Sequence, residues 1–132
     1  MSSDRHARPK AAPFFDAIDE MAKAEGLMVA DLRAGDVIDV DTRNHRYTFI
    51  LRDPAKGSAE ATSDGAHITE PCDAVIAGSL LGSGSAIRPG WIGVGYALEV
   101  CAGGKRYILS RTRRIAVNGV TISPRAEGDR PN

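Results

Sequence analysis

A chain of 132 residues has the length of a single domain. Hydrophobic residues make up 42% of it but aromatic residues only 5%, so the core must be mainly aliphatic, which suits a compact barrel or sandwich better than a large ligand cavity. The 17 basic and 17 acidic residues cancel, which excludes a long-range field that would draw the chain onto DNA or an anionic membrane.

The N-terminal residues 1–12 are polar and unpatterned, and we predict that they form a disordered tail. They lack the apolar segment of a secretory signal. The longest uncharged run, 74–87, has 14 residues, whereas a membrane-spanning helix needs about 20. Cys72 and Cys101 lie far apart, which is typical of reduced cysteines in the cytoplasm. We therefore expect a soluble, cytoplasmic protein without a membrane partner.

Residues 13–25 have the pattern of one short helix. Proline at the first position and Gly26 after the last are typical helix boundaries. Phe14, Ile18 and Met21 share one face at helical spacing. We expect this face to pack over an open end or a face of a β domain, because exposed apolar stripes of this size are uncommon in monomers.

From residue 32 onward the pattern changes to short strands and turns. Residues 46–52 show the clearest alternation, with Tyr47, Phe49 and Leu51 on one side and mostly polar side chains on the other. Weaker patterns predict strands at 37–40, at 58–63 as an edge strand, at 66–69 after an Asp-Gly turn, and at 73–78.

The segment 78–95 carries six glycines and no acidic residue. Glycine frees backbone N–H groups that can hold a phosphate. However, the segment lacks the Gly-Lys-Ser/Thr end of a Walker loop and the third glycine of a dinucleotide fingerprint. We prefer a structural interpretation, since glycines in strands usually mark bulges or close backbone contacts. Trp91 within this segment is more often a core residue than a binding anchor.

The C-terminal part of the domain is predicted to form hairpins. A long strand should run over 92–101, turn at Gly103-Gly104 and return over 106–110. Asn118-Gly119 is typical of a type I′ turn. This turn should join the last two strands, 114–117 and 120–122.

Together these elements predict a mainly β fold. We expect a small antiparallel β-barrel or sandwich with one short N-terminal helix, forming a single domain over 13–122. Residues 123–132 are polar and are predicted to form a second disordered tail.

Two basic segments supply most candidate binding residues. The turn that contains Arg43 is dense in polar groups and could bind an anion, although a simple hairpin turn explains it as well. The segment 105–114 mixes arginine with one tyrosine, as single-stranded nucleic-acid binders do, but strand alternation would split its charges between two faces. The candidate ligand- or partner-binding residues are Arg43, Asn44, Tyr47, Trp91, Arg111, Arg113 and Arg114.

The sequence contains no recognisable motif for catalysis or for a metal. The Gly-x-Ser-x-Gly motif of hydrolases is missing. His67 and Cys72 lie near acidic residues, but without the paired spacing of zinc ligands. We therefore predict no catalytic residues, no metal and no cofactor.

Three pieces of the chain resemble a family of small uncharacterised bacterial β-domain proteins. They are Thr42-Arg43-Asn44 with Tyr47, Gly78-Ser79 through Gly90-Trp91-Ile92-Gly93-Val94-Gly95, and Ser110 with Ile115. The resemblance spans residues 32–118, and the Gly-Trp-Ile-Gly-x-Gly piece is its most specific part. It implies a self-contained domain, and it implies no activity, cofactor or partner.

Two classes of function follow from these observations. The first is a non-enzymatic binding or assembly module, in which Trp91 and the turn 43–47 contact a partner, which could be a second copy of the chain. The alternative is an RNA- or anion-binding protein that uses the arginine-rich strands. A small hydrolase is a distant third hypothesis.

Overall fold

The computed structural model describes residues 24–65, 68–81 and 86–124. They form eleven strands and two single-turn 3₁₀ helices, Val29–Asp31 and Pro54–Lys56. In chain order the strands are β1 Gly26–Met28, β2 Val37–Asp41, β3 Arg46–Asp53, β4 Ser58–Ser63, β5 Cys72–Leu81, β6 Ala86–Pro89, β7 Trp91–Gly93, β8 Leu98–Ala102, β9 Lys105–Leu109, β10 Arg114–Val117 and β11 Val120–Ser123. The predicted mainly β class is confirmed.

The predicted terminal segments fall mostly outside the described residues. This applies to the tail 1–12 and to the predicted helix 13–25 except for its last two residues. Those two, Ala24 and Glu25, are not helical and lead directly into β1. At the other end, Ser123, the first residue of the predicted C-terminal tail, is the last residue of β11 and is only 4% exposed.

The strands form two sheets. Nine of them make one sheet in the order β11-β10-β2-β3-β4-β5-β8-β9, with β6 pairing with the second half of β5. β1 and β7 form a separate two-stranded sheet. Neighbouring strands are antiparallel throughout these pairs, as expected for a chain of short strands joined by tight turns.

The core lies on one face of the large sheet. In β3, Tyr47, Phe49 and Leu51 are no more than 2% exposed, which confirms the alternation predicted from the sequence. Inward-facing residues of β2, β4, β5, β8 and β10 join them in one hydrophobic cluster. The cluster is mainly aliphatic, as the composition requires.

Two predictions about strands are wrong: the edge position of 58–63 and the strand at 66–69. β4 is not an edge strand, because it pairs with β3 on one side and β5 on the other. The predicted return strand 66–69 does not form in its described half: Ile68 and Thr69 lie in a loop, where the Ser63 N–H donates to the Ile68 carbonyl at 3.1 Å.

The long strand predicted over 92–101 is in fact two strands. β7 ends at Gly93, where the Tyr96 N–H donates to the Gly93 carbonyl at 3.2 Å and closes a turn. The chain then enters β8, which belongs to the large sheet, whereas β7 pairs with β1. The apolar run therefore crosses between sheets, which a period-two pattern alone does not reveal.

The described glycines of the segment 78–95 support its structural interpretation. Gly78 lies where the register between β5 and β8 shifts, with φ at +142°. A Cβ atom at this position would clash with the carbonyl oxygen of Arg88 on the neighbouring strand. Glycine is needed here because two backbones approach closely at a bulge.

Asn118 supports the turn between β10 and β11 in two ways. It adopts φ of +51°, and its side-chain oxygen accepts from the Val37 N–H at 2.9 Å while its amide donates to Asp36 at 3.1 Å. We expect Asn118→Ala to lower the free energy of unfolding by about 1–2 kcal/mol, because it loses both hydrogen bonds and strains the backbone. Urea unfolding measures this loss. Asn118→Gly relieves the strain alone, so it should cost less, and equal losses would contradict a role for the backbone angle.

Candidate functional site

Four of the seven candidate residues line one groove. The groove is open to solvent, has a volume of about 560 Å³, and is lined by Arg43, Asn44, Ser110, Arg111 and Arg113. Its first two residues belong to the turn between β2 and β3, and the other three to the segment that joins β9 to β10.

Backbone hydrogen bonds hold these two segments side by side. In the turn, the Thr42 N–H donates to the His45 carbonyl at 2.8 Å. The Arg113 N–H donates to the Asp41 carbonyl at 2.7 Å, and the next residue pairs with Asp41 as β10 begins. Because β2 and β10 are neighbours in the sheet, a turn at the end of one must adjoin the segment that enters the other. Asn44 does not have the positive φ that its type would tolerate.

Thr112 fixes the segment between β9 and β10 through buried backbone hydrogen bonds. It is only 1% exposed, its N–H donates to the Tyr96 carbonyl at 3.0 Å, and its carbonyl accepts from the Gly95 N–H at 2.8 Å. Its neighbours Arg111 and Arg113 are both exposed. Strand alternation predicted that the charges of this segment divide between two faces. However, β9 ends at Leu109, and Arg111 and Arg113 both line the groove.

Ion pairs divide the nearby arginines into two groups. Asp41 binds the Arg46 guanidinium at 2.7 Å through one oxygen and the Arg114 guanidinium at 2.9 Å through the other. Within the described parts of the chain, no carboxylate lies within ion-pairing distance of the groove residues Arg43, Arg111 and Arg113. Their charge is thus available to a ligand, whereas Arg114 shares the Asp41 carboxylate with Arg46.

The Asp41 ion pairs should make stability depend on pH. Hydrogen bonds from Arg46 lower the pKa of Asp41, against the raising effect of burial, and the charge of Arg114 lowers it further. A pKa that is lower in the folded state stabilises the fold above the unfolded value of about 3.9, and this contribution is lost as the pH falls through the folded value.

Asp41→Asn should therefore flatten the acid side of the stability profile. Urea unfolding of the wild type and the variant between pH 2.5 and 7 should give curves that are furthest apart near neutral pH and converge below about pH 4. Curves that stay parallel over this range would contradict the contribution of Asp41. Other carboxyls, such as Asp36 with its own lowered pKa, affect both proteins alike.

The remaining candidate residues do not reach the groove surface. Tyr47 is 2% exposed and faces the core, where burial raises the pKa of its hydroxyl and the nearby Asp64 carboxylate adds to the rise. Trp91 is 4% exposed. Trp91 and Tyr47 thus expose almost none of their side chains to a partner. Ser110 also lines the groove; it belongs to the family resemblance but was not among the candidate binding residues.

Trp91 instead occupies a small cluster of its own. Its indole packs against the backbone of Gly26 and Gly93, so closely that a Cβ atom at either glycine would overlap the ring. The Arg88 guanidinium lies over the ring at 4.4 Å from its centroid, and the Tyr96 ring lies at 5.6 Å. The interpretation of Trp91 as a core residue fits this burial.

The residue types that can ligate a metal are scattered among the described residues. Among them, no group of three or more His, Cys, Asp and Glu side chains is close enough to hold a metal ion. Cys72 and Cys101 are both free thiols. His67 lies outside the described residues.

The chain has no match among known proteins in three kinds of comparison. No protein family, no curated protein and no solved structure matches this chain. The resemblance to a family of bacterial β-domain proteins thus stays a prediction. In the parts of the chain that the structure describes, no helix is long and apolar enough to cross a membrane.

Proposed function

We propose that this protein is a non-enzymatic binding module whose groove takes an anionic ligand. The observation that carries the proposal is the convergence of Arg43, Arg111 and Arg113 on one groove without a carboxylate partner among the described residues. Arginine side chains normally attract acidic neighbours, as Asp41 pairs with Arg46 and Arg114. Three unpaired guanidinium groups together repel one another, and an anion relieves that repulsion.

The groups that line the groove are suited to binding rather than to chemistry. Each guanidinium presents a rigid fork of N–H donors that matches the oxygens of carboxylate or phosphate. The Asn44 amide and the Ser110 hydroxyl can add neutral hydrogen bonds that fix orientation. None of these side chains accepts a proton at neutral pH, which supports binding without catalysis. The groove's volume of about 560 Å³ fits a small ligand.

A barrel-like closure of the sheet is part of this proposal. The Gly93 N–H donates to the Ser79 hydroxyl at 2.9 Å, which ties β7 to β5. Val94 then forms a parallel bridge with Thr112. The N–H of Arg113, which follows Thr112, donates to the Asp41 carbonyl at the end of β2. These contacts favour a small, partly open barrel over a sandwich, with the groove where the two arginine-bearing segments meet.

Calorimetric titration with inorganic phosphate and sulfate at low ionic strength tests the binding function. We expect the wild type to bind at least one of these anions, and more weakly as salt is added. Arg43→Gln should weaken binding about fivefold, which is the effect of one partly exposed charge contact.

Arg33→Gln is the matched control for this titration. Arg33 is exposed and without an ion pair among the described residues, and it lies beside Asp36 at the other end of β2, roughly 13 Å from the groove by strand length. Its replacement changes the net charge equally but should leave binding unchanged. The absence of anion binding, or equal losses in the two variants, would contradict the proposal. Tight binding of single-stranded RNA would favour the RNA hypothesis instead.

A further inference from the structure

The charge of the groove is concentrated rather than spread along a track. Three guanidinium groups face a single space of about 560 Å³. Elsewhere, Arg52 is paired with Asp73 and, at 3.4 Å, with Glu60, and Arg106 is paired with Glu99 at 2.8 Å. Arg52 and Arg106 are thus partly neutralised, whereas the three groove arginines have no carboxylate partner among the described residues.

Acidic groups also limit what can extend past the turn. On the β4 side, Asp64 lies 3.2 Å from the His45 imidazole and accepts from the Arg46 N–H at 3.0 Å. Its side chain is 48% exposed. A polyanion that followed the turn beyond the groove would meet this carboxylate, whereas a compact anion held between the two arginine segments would not.

None of the described groove residues is aromatic. Proteins that bind single-stranded nucleic acid combine basic residues with exposed aromatic rings. The groove is lined by arginine, asparagine and serine, and Tyr47 on the adjoining strand is buried. A nucleic-acid ligand would therefore lack the aromatic stacking that such proteins usually provide.

We infer that the ligand of the arginine groove is a small molecule that carries a phosphomonoester group. This inference rests on the proposed anion-binding function and narrows it. A phosphomonoester carries nearly two negative charges at neutral pH and has three terminal oxygens, so each of three guanidinium groups can bind one of them. A phosphodiester has one charge and two free oxygens, so it offers Arg43, Arg111 and Arg113 less charge and one terminal oxygen fewer.

Titration with matched probes tests the ligand class. Ethyl phosphate is the monoester, diethyl phosphate is the diester with one charge fewer, and single-stranded oligouridylate supplies the diester in polymeric form. At pH 7.5 and low salt we expect ethyl phosphate to bind at least tenfold more tightly than diethyl phosphate. Equal or tighter binding of diethyl phosphate or oligouridylate overturns this inference but leaves the anion-binding function standing. If no anion binds, the proposed function fails as well.

The pH dependence provides a second, independent arm. The second proton of a phosphomonoester leaves near pH 6, and the guanidinium groups stay charged throughout. Affinity for ethyl phosphate should therefore rise at least threefold between pH 5 and 7.5, whereas affinity for diethyl phosphate should stay level. The measurement is made in His45→Gln, so that the imidazole on the same turn, 3.2 Å from Asp64, does not contribute to the profile. A flat profile for ethyl phosphate overturns the inference.

Discussion

Replacing Trp91 with alanine should lower the free energy of unfolding by about 3–5 kcal/mol. The indole is 4% exposed and fills the space between the backbones of Gly26 and Gly93, so its removal leaves a cavity that main-chain atoms cannot easily close. The Arg88 guanidinium, 4.4 Å from the ring centroid, loses a cation–π contact as well. Urea unfolding followed by circular dichroism measures the loss. Ile108→Ala is the control, since Ile108 is 44% exposed and should change stability by less than about 0.5 kcal/mol.

A double-mutant cycle tests whether the Trp91 ring and Gly93 depend on each other, or whether any substitution in this region lowers the free energy of unfolding. Gly93 has no positive φ. The three atoms nearest to a Cβ built at this position all belong to the Trp91 ring. Gly93→Ala alone should therefore be destabilising, whereas in the Trp91→Ala background the same methyl enters vacated space. We expect the two changes to be less than additive by at least about 1 kcal/mol. Strict additivity would show that the indole does not require glycine at position 93.

Local patterns in the sequence predicted those features that depend on neighbouring residues. The alternation of Tyr47, Phe49 and Leu51 in β3 is confirmed because one face of that strand meets the core along its whole length. The turn at Asn118-Gly119 is confirmed because its dihedral angles demand those residue types. Each depends on a few consecutive residues and on no distant partner.

Features that depend on distant partners could not be predicted in the same way. The position of β4 inside the sheet follows from its pairing with β5, and its small, polar sequence resembles an edge strand. The break between β7 and β8 follows from the pairing of Met28 with Trp91 in the second sheet. Composition shows that a segment can form a strand, but strand order depends on contacts between segments that the pattern does not contain.

The same distinction holds for the groove. The clustering of arginine in sequence pointed to Arg43, Arg111, Arg113 and Arg114, and the first three reach the groove. What could not be predicted is that Arg114 is bound by Asp41, a residue 73 positions earlier in the chain. The pairing of β2 with β10 brings this acid beside the arginine, and so decides which charges remain available.

The double variant Arg111→Gln with Arg113→Gln should reduce phosphate affinity about 30-fold, which corresponds to roughly 2 kcal/mol of binding free energy. Both side chains line the groove, and the buried Thr112 lies between them in the chain. We expect a bound anion to contact both guanidinium groups, so the double variant removes two contacts. Both are exposed, and the free energy of unfolding should change by no more than about 0.5 kcal/mol. Calorimetric titration with inorganic phosphate measures the affinity, and urea unfolding checks the fold.

The matched control for this variant is Arg33→Gln with Lys56→Gln. It removes two exposed positive charges that have no ion pair among the described residues and that lie outside the groove. Net charge then falls by the same amount in both proteins, so any long-range effect on the anion is equal and is screened by salt. If the control loses as much affinity as the groove variant, the attraction is general and the groove is not the site. If only the groove variant loses affinity, the contact is local, because guanidinium groups act on phosphate through directed hydrogen bonds as well as through charge.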